Sequence, residues 1–471
     1  MPENQVPGVY IKETANLPPA VAQTATAIPA FIGYTQKASH QHPDDLHLIP
    51  FKISSMLDYE LCFGLPEPEK NSLTVAFSNA APGINASVDL SRRSRFLMHY
   101  SLQMYFANGG GPCYIVSVNN YSATTGAIRF GQLIEGLAEA AKVKEVTLLL
   151  FPDSINMATP EEYYDLHLAA INQCTAHKDR FVIMDVYHVS ENLNNWKFDI
   201  ETLRQNLPSS ADLKYAAAYF PQIYSSLDFS YKNEDNILDN DALIAITGIP
   251  DIRTLLDLKT ANNIKYQQAK TALTSIPMLL PASPAIAGIY ALVDLQRGVW
   301  KAPANVNINL VTRLEYDITE TEQQSLTVDN SGKSVNTIRR FVGRGPAIVW
   351  GARTLTGNDN EWRYISVRRY LIMVEDSVKT ATQSFVFEPN DTNTWVKVRV
   401  MIENFLMMQW RTGALMGVKP EHAYYVRVGL GQTMTTSDVL EDRIIIEIGI
   451  AVVRPAEFIV IRFAQKMQAY S

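Results

Sequence analysis

Cysteine is nearly absent from this chain. Cys62, Cys113 and Cys174 are the only three in 471 residues, odd in number and far apart. They fit buried thiols in a reducing compartment, and supply neither a disulfide framework nor the paired spacing of a zinc site. Long apolar runs are missing too. The nearest candidate, Ser275–Val293, is broken by Pro277, Pro281 and Pro284, so no membrane insertion is expected. The opening residues, Met1-Pro2-Glu3-Asn4-Gln5, hold no basic or apolar signal region, so secretion by a signal peptide is not expected. Charge is scarce: 19% of residues are charged, against a usual share of about 25%. The resulting polar, uncharged surface suits packing against other protein. A net charge of −7 speaks against a nucleic-acid partner. There is no Gly-x-Ser-x-Gly, no Walker A lysine, no Cys-x-x-Cys, no internal repeat and no low-complexity tract.

What is present is apolar residue enough, 47%, for several cores. At about 150 residues per domain the length predicts about three domains, or two with an insertion. Thr26–Tyr34 reads as an apolar strand. A helix over Ser94–Asn108 stops at Asn108-Gly109-Gly110-Gly111-Pro112, and a strand, Cys113–Val118, follows. Residues 128–220 have an α/β rhythm. Helices at 131–142 and Pro160–His177 alternate with buried strands at Val146–Phe151, Phe181–Val186 and Ala216–Ile223. That alternation predicts a parallel sheet with helical cover. Residues 225–280 read as polar helix, Ala282–Asn305 as helix plus loop, and Glu320–Ser334 as a polar loop. After the strand Ala347–Leu355 come two helices. Glu361–Ser384 has an apolar stripe of Tyr364, Val367, Leu371, Val374 and Val378. Thr394–Met416 is apolar nearly all round, which predicts burial on several sides. Strands follow at Ala423–Val428, Ile444–Val453 and Phe458–Ala464. The fold class is α/β (α+β).

Three constellations carry possible chemistry. Asp153 and Asp185 stand near the C-terminal ends of apolar strands, with His188 close behind, where open α/β sheets bind ligands. They could serve an α/β hydrolase or metal-dependent enzyme, or simply cap loops. His40, His42 and His47 with Asp44 and Asp45 could hold a metal, but their loop context and lack of helical spacing favour a solvated loop. The glycines at 109–111 could cradle an anion, but act more naturally as a helix stop. No metal or cofactor is expected.

The chain ends read differently. Val9-Tyr10-Ile11-Lys12 alternates weakly between apolar and polar, a short strand with no partner nearby in sequence. In the terminal strand, Phe458, Val460 and Arg462 share one face and Ile459, Ile461 and Phe463 the other, so both faces are largely apolar. Isolated strands are marginal in water, and each could complete its own sheet or add to the edge of a neighbour's.

Seven segments, spread in order along the chain, resemble the tail sheath proteins of contractile injection systems. They are Pro7-Gly-Val-Tyr-Ile-Lys-Glu13, Phe106-Ala-Asn-Gly-Gly110, Pro284-Ala-Ile-Ala-Gly-Ile-Tyr290, Arg297-Gly-Val-Trp-Lys-Ala-Pro-Ala-Asn305, Val349-Trp-Gly-Ala-Arg-Thr-Leu355, Trp362-Arg-Tyr-Ile-Ser-Val-Arg-Arg369 and Arg454-Pro-Ala-Glu-Phe-Ile-Val-Ile461. The match is strongest over 281–465 and weak over 35–95 and 225–270, where such proteins vary in their outward decoration. The resemblance implies a homo-oligomer: hexameric rings stacked helically around an inner tube protein, with baseplate and terminator or cap proteins as further partners. The sheath contracts to drive the tube through a target envelope, and terminal strands exchanged between neighbours link the subunits. It implies an arm at 1–25, an outer α/β domain at 26–340, an inner tube-facing domain at 341–455 and a linker strand at 456–471. It also implies assembly in the bacterial cytoplasm into a phage-tail-like particle, and no enzymatic activity. Arg363, Arg368, Arg369 and Lys379 are candidate tube contacts. Intrachain pairing of Arg369 with Asp376 or Arg368 with Glu375 is the alternative. Another self-assembling structural protein would share much of this pattern.

Overall fold

The protein is described by a computed structural model covering residues 20–70, 72–78, 83–121, 126–189, 195–230 and 244–457. Both terminal strands, Val9–Lys12 and Phe458–Phe463, lie outside the described residues. The chain divides into two compact units. The larger holds Ala25–Met373 with 454–457; the smaller holds 20–24 with Val374–Val453.

The larger unit opens with β1 (Pro29–Thr35), β2 (Phe51–Ile53), α1 (Met56–Phe63), β3 (Leu73–Phe77), β4 (Ile84–Val88) and α2 (Met98–Ala107). An alternating run comes next: β5 (Cys113–Asn120), α3 (Phe130–Ala141), β6 (Leu148–Leu150), α4 (Pro160–His177), β7 (Phe181–Asp185), α5 (Trp196–Asn206) and β8 (Ala216–Phe220). Shorter pieces succeed it: β9 (Ile223–Ser225), β10 (Ala245–Thr247), α6 (Leu255–Ala261), α7 (Asn263–Thr274) and β11 (Met278–Leu280). The chain continues through α8 (Ser283–Arg297), β12 (Val306–Asn307), β13 (Val311–Leu314), α9 (Glu320–Thr327), β14 (Val335–Phe341) and β15 (Gly345–Val349).

Nine of these strands form one sheet, ordered β12-β15-β14-β8-β7-β6-β1-β5-β2. From β14 to β5 all neighbours are parallel; β2, β15 and β12 join antiparallel at the edges. Successive side chains divide between two cores, as the pleat requires. Phe31, Ile115, Leu148, Leu150, Ile183 and Tyr219 pack in one cluster with Tyr105 of α2 and Ile286 and Ile289 of α8. Ile32, Val116, Leu149, Val182, Met184 and Ala218 pack in the other with residues of α3, α4 and α5. Helical cover on both faces is why these strands read as continuous apolar runs.

Helix α4 has the predicted limits because both ends are written locally. Thr159 accepts the Glu162 N–H, Pro160 starts the first turn, and Lys178 turns left-handed at φ 61°. Three expectations are corrected. The stretch 225–280 is not simply helical: β9 and β11 pair antiparallel, and β10 joins β3. The predicted polar loop at Glu320–Ser334 begins as helix α9, held by a capping box between Thr319 and Glu322. The predicted strand at Ala216–Ile223 is divided at Pro221, which has no N–H to give a ladder; β8 and β9 belong to different sheets.

The unit boundary falls within helix α10 (Ile365–Thr382), after Met373. Residues 341–373, assigned from sequence to one domain with 374–455, cluster with the larger unit; β15 among them pairs in its sheet. The smaller unit continues with α11 (Thr392–Arg411), α12 (Pro420–Ala423), β16 (Tyr424–Arg427), α13 (Thr436–Leu440) and β17 (Glu447–Ile450). On α11, Val398, Met401, Ile402, Phe405 and Leu406 are buried. Val396, Val400 and Met408 are 44%, 43% and 52% exposed. In the single chain the helix is therefore buried on one side, not on several as its composition predicts.

Candidate assembly site

What the structure describes at the chain ends is their roots. On the N-terminal side, Val21 is buried, Thr24 N–H donates to Ser377 Oγ at 3.0 Å, and Gln409 Nε2 donates to Gln23 Oε1 at 3.4 Å. These contacts seat residues 20–24 on α10 and α11 within the smaller unit. In the larger unit, Thr26 Oγ1 donates to Asp294 Oδ2 at 2.6 Å. Arg369 grips the same carboxylate with both terminal nitrogens, at 3.0 and 2.5 Å, and donates to the Thr26 carbonyl at 2.8 Å. Arg369 also lies over the Tyr290 ring, 4.5 Å from its centroid. Both partners of this ion pair are buried. Stripping two charges of water is costly unless the geometry is good, and a bidentate pair with a further carbonyl acceptor meets that condition.

On the C-terminal side, Arg353 forks onto Glu457, with Nε–Oε1 at 3.0 Å and Nη2–Oε2 at 2.6 Å. Tyr364 Oη donates to the same carboxylate at 3.3 Å, and Arg353 Nη1 donates to the carbonyls of Thr327 and Gly357. Glu457 thus ends the described chain in a clasp. Beside it lies a cavity of about 650 Å³, lined among others by Gln323, Asn336, Arg339, Trp350 and Pro455. In the smaller unit, β16 and β17 pair antiparallel as a two-stranded sheet among the described residues. Two strands alone are marginal, and the edge of any such sheet carries backbone groups that a further strand can pair.

Sequence reading missed Arg353, Glu457 and Asp294. A signal was available: charges set among apolar residues, Arg353 in Val349–Leu355 and Glu457 in Arg454–Ile461, are the mark of a buried pair. Which charge meets which was not readable across separations of 75 and 104 residues.

The four candidate tube contacts are not brought together. Arg368 and Arg369 are 2% and 3% exposed. Arg368 lies over the rings of Tyr215 and Trp362, and Arg369 is held by Asp294 and not by Asp376. Arg363 donates to Asn360, and of the four only Lys379 is exposed.

The chemistry-bearing constellations are also separate. Asp153, fully buried, accepts the N–H groups of Tyr34 at 2.8 Å and Leu97 at 2.5 Å; burial pushes its carboxyl up to about 7. Asp185 accepts those of Ala282 and Ser283 at the start of α8, and burial raises it to about 6. His188 pairs with Asp199 at 2.9 Å, and that hydrogen bond holds its pKa above the usual histidine value. Asp45 takes the N–H groups of His40, Gln41 and His42, which lower it to about 2, while His47 Nε2 contacts the Val118 carbonyl. Among the described residues no three His, Cys, Asp or Glu side chains are grouped to hold a metal, and no helix is long and apolar enough to cross a membrane. The Asn108–Gly111 turn is a helix stop: Gly109 has φ 94°, and Asn108 bridges Met104 O and Asn309 N.

This is the architecture of a sheath protein. A profile of the phage tail sheath C-terminal domain matches residues 357–466. A chain in the structure of the anti-feeding prophage baseplate is 31% identical, covering 98% of this chain and 100% of that one, with a TM-score of 0.63. A chain of the anti-feeding prophage helical sheath in its contracted state is 30% identical, with coverage of 98% and 100% and a TM-score of 0.64. A putative prophage major tail sheath protein of Pseudomonas aeruginosa (strain UCBPP-PA14) is 26% identical over 117 residues, 25% of this chain and 30% of that protein. The chain belongs to the contractile tail sheath family of phage-tail-like injection systems.

Proposed function

We propose that this chain polymerises as helically stacked hexameric rings around an inner tube protein, and that contraction of the polymer drives the tube through a target envelope. Its partners are further copies of itself, the tube, the baseplate and the terminator or cap. It acts as a structural protein and not as an enzyme, assembled in the bacterial cytoplasm before joining the particle. The observation that carries this reading is end-to-end similarity, at 30% identity, to a chain of a helical sheath in its contracted state.

Subunits are linked by terminal strands. Val9–Lys12 and Phe458–Phe463 add to the two-stranded β16–β17 sheet of neighbouring copies, where open edges accept their backbone groups. Residues 341–455, which are divided between the two units, supply the tube-facing surface. Lys379, exposed, and Arg363, partly exposed, are its available tube contacts. Such exposed pairs contribute about 0–1 kcal/mol each, which permits release during contraction. Chains lacking residues 1–14, or residues 458–471 with Glu457 retained, are expected to stay folded and to form no sheath under the electron microscope. Tubes of normal length from either truncation would overturn strand linkage.

A further inference from the structure

A second site lies far in sequence from the chain ends, in a segment where the family resemblance is weak. A cavity of about 340 Å³ opens beside Arg92-Arg93-Ser94-Arg95, with Lys70 and Glu67 on its wall. Its volume lies within the range of about 300–1,000 Å³ that small ligands occupy.

The charges on this wall are unevenly answered. Arg92 meets Asp89 at 3.4 Å on the surface. Among the described residues, Lys70 and Arg95 have no ion pair, and both are exposed. Arg93 is the telling residue. Its Nη1 donates to the Leu279 carbonyl at 2.6 Å, and its guanidinium lies 5.6 Å from the Phe229 ring centroid. Its Nη2 is buried with no hydrogen-bond partner. Glu69 is near enough to favour the charge, but its Oε2 is taken by Ser72 Oγ and Ser94 N–H. Glu67 likewise accepts Ser94 Oγ, at 2.8 Å. Arg93 is partly buried, and the partial loss of water around its guanidinium depresses its pKa. Arginine forks match tetrahedral oxyanions, and an open lysine adds a point charge.

We propose that this cavity is a binding site for a small phosphate-class oxyanion, with the partly buried Arg93 as the anchor and Arg95 and Lys70 closing on the exposed side. Arg93 lines the cavity and adds its charge to the wall. The cavity has room for more than one phosphoryl group, so both an inorganic polyphosphate and a phosphate ester fit this chemistry. The site does not depend on the sheath reading, since every group it uses belongs to the larger unit of one chain.

The test is calorimetric titration of the full chain, at low salt, with inorganic pyrophosphate, glucose 6-phosphate and glucose. Saturable binding of a phosphate probe is expected, with none for glucose. Pyrophosphate alone identifies an inorganic ligand; glucose 6-phosphate binding identifies an ester. The double variant Lys70→Ala, Arg95→Ala changes only exposed side chains and should weaken binding about tenfold or more. Lys265→Ala, Lys270→Ala, which removes equal charge from α7, should leave it unchanged. No saturable binding of either phosphate, or equal affinity in the Lys70, Arg95 variant, overturns the proposal.

Discussion

The carboxylate of Asp153 occupies the position where many open α/β sheets hold a ligand, beyond the ends of β1 and β6, and here the protein's own backbone fills it. Gly33 makes the approach possible: a Cβ there would stand 2.3 Å from Asp153 Oδ2. The two N–H groups that Asp153 accepts favour its charge, but burial outweighs them, so its pKa rises from 3.8 to about 7. Asp185 obeys the same logic, reaching about 6. Both native forms bind a proton more tightly than the unfolded chain does. Their contribution to stability is therefore fully present below about pH 4 and is lost as pH rises through about 6 to 7. Asp153→Asn should remove part of that slope between pH 4 and 7. It should also cost about 1–3 kcal/mol, because an amide NH₂ would face a backbone N–H. Denaturant unfolding across that pH range measures both; an unchanged slope would show that Asp153 does not titrate there.

At the scale of elements, the contact between α2 and α8 depends on an absent side chain. A Cβ at Gly288 would lie 2.4 Å from the Tyr105 carbonyl oxygen, which is backbone and cannot step aside. Gly288→Ala should cost about 1–3 kcal/mol as overpacking, read as a fall in the thermal midpoint. An unshifted midpoint would mean that the helices separate freely. How far such elements could be read in advance depended on where their signals lie. The limits of α4 and the buried run of β7 were legible because caps and apolar runs are local. Helix α9 was legible in principle, through Thr319-x-x-Glu322, but its polar composition hid it. Strands β9, β10 and β11 have three residues each, too few for a period to show, and only their partners make them strands. The exposed side of α11 could not be foreseen, because composition does not distinguish a core from a face left open in one chain.

At the scale of the whole molecule, the roots of both chain ends are held by side-chain contacts to distant parts of the sequence. Glu457, the last described residue, is held by Arg353 and Tyr364 in a charge-assisted fork. Glu457→Gln retains the chain but gives up the charge, and should weaken the clasp by about 1–3 kcal/mol. Sheath assembly should then fall several-fold in yield while the chain remains folded, as judged by sedimentation of polymer and by circular dichroism. Assembly at the normal yield would show that the clasp does not position the strand. The terminal strands, read from sequence as possible pairing elements and from the resemblance as linkers, lie outside the described residues, and the buried pairs Arg369–Asp294 and Arg353–Glu457 were the least legible part of the sequence. The Thr26 knot has a consequence for synthesis. Its partners Asp294 and Arg369 are 268 and 343 residues further along the chain, and Ser377, which receives Thr24, is 353 beyond it. While a ribosome is still translating the middle of the message, these partners of Thr24 and Thr26 do not yet exist. These contacts form only when about four fifths of the polypeptide has been made, so residues 24–26 are among the last parts of the subunit to be fastened.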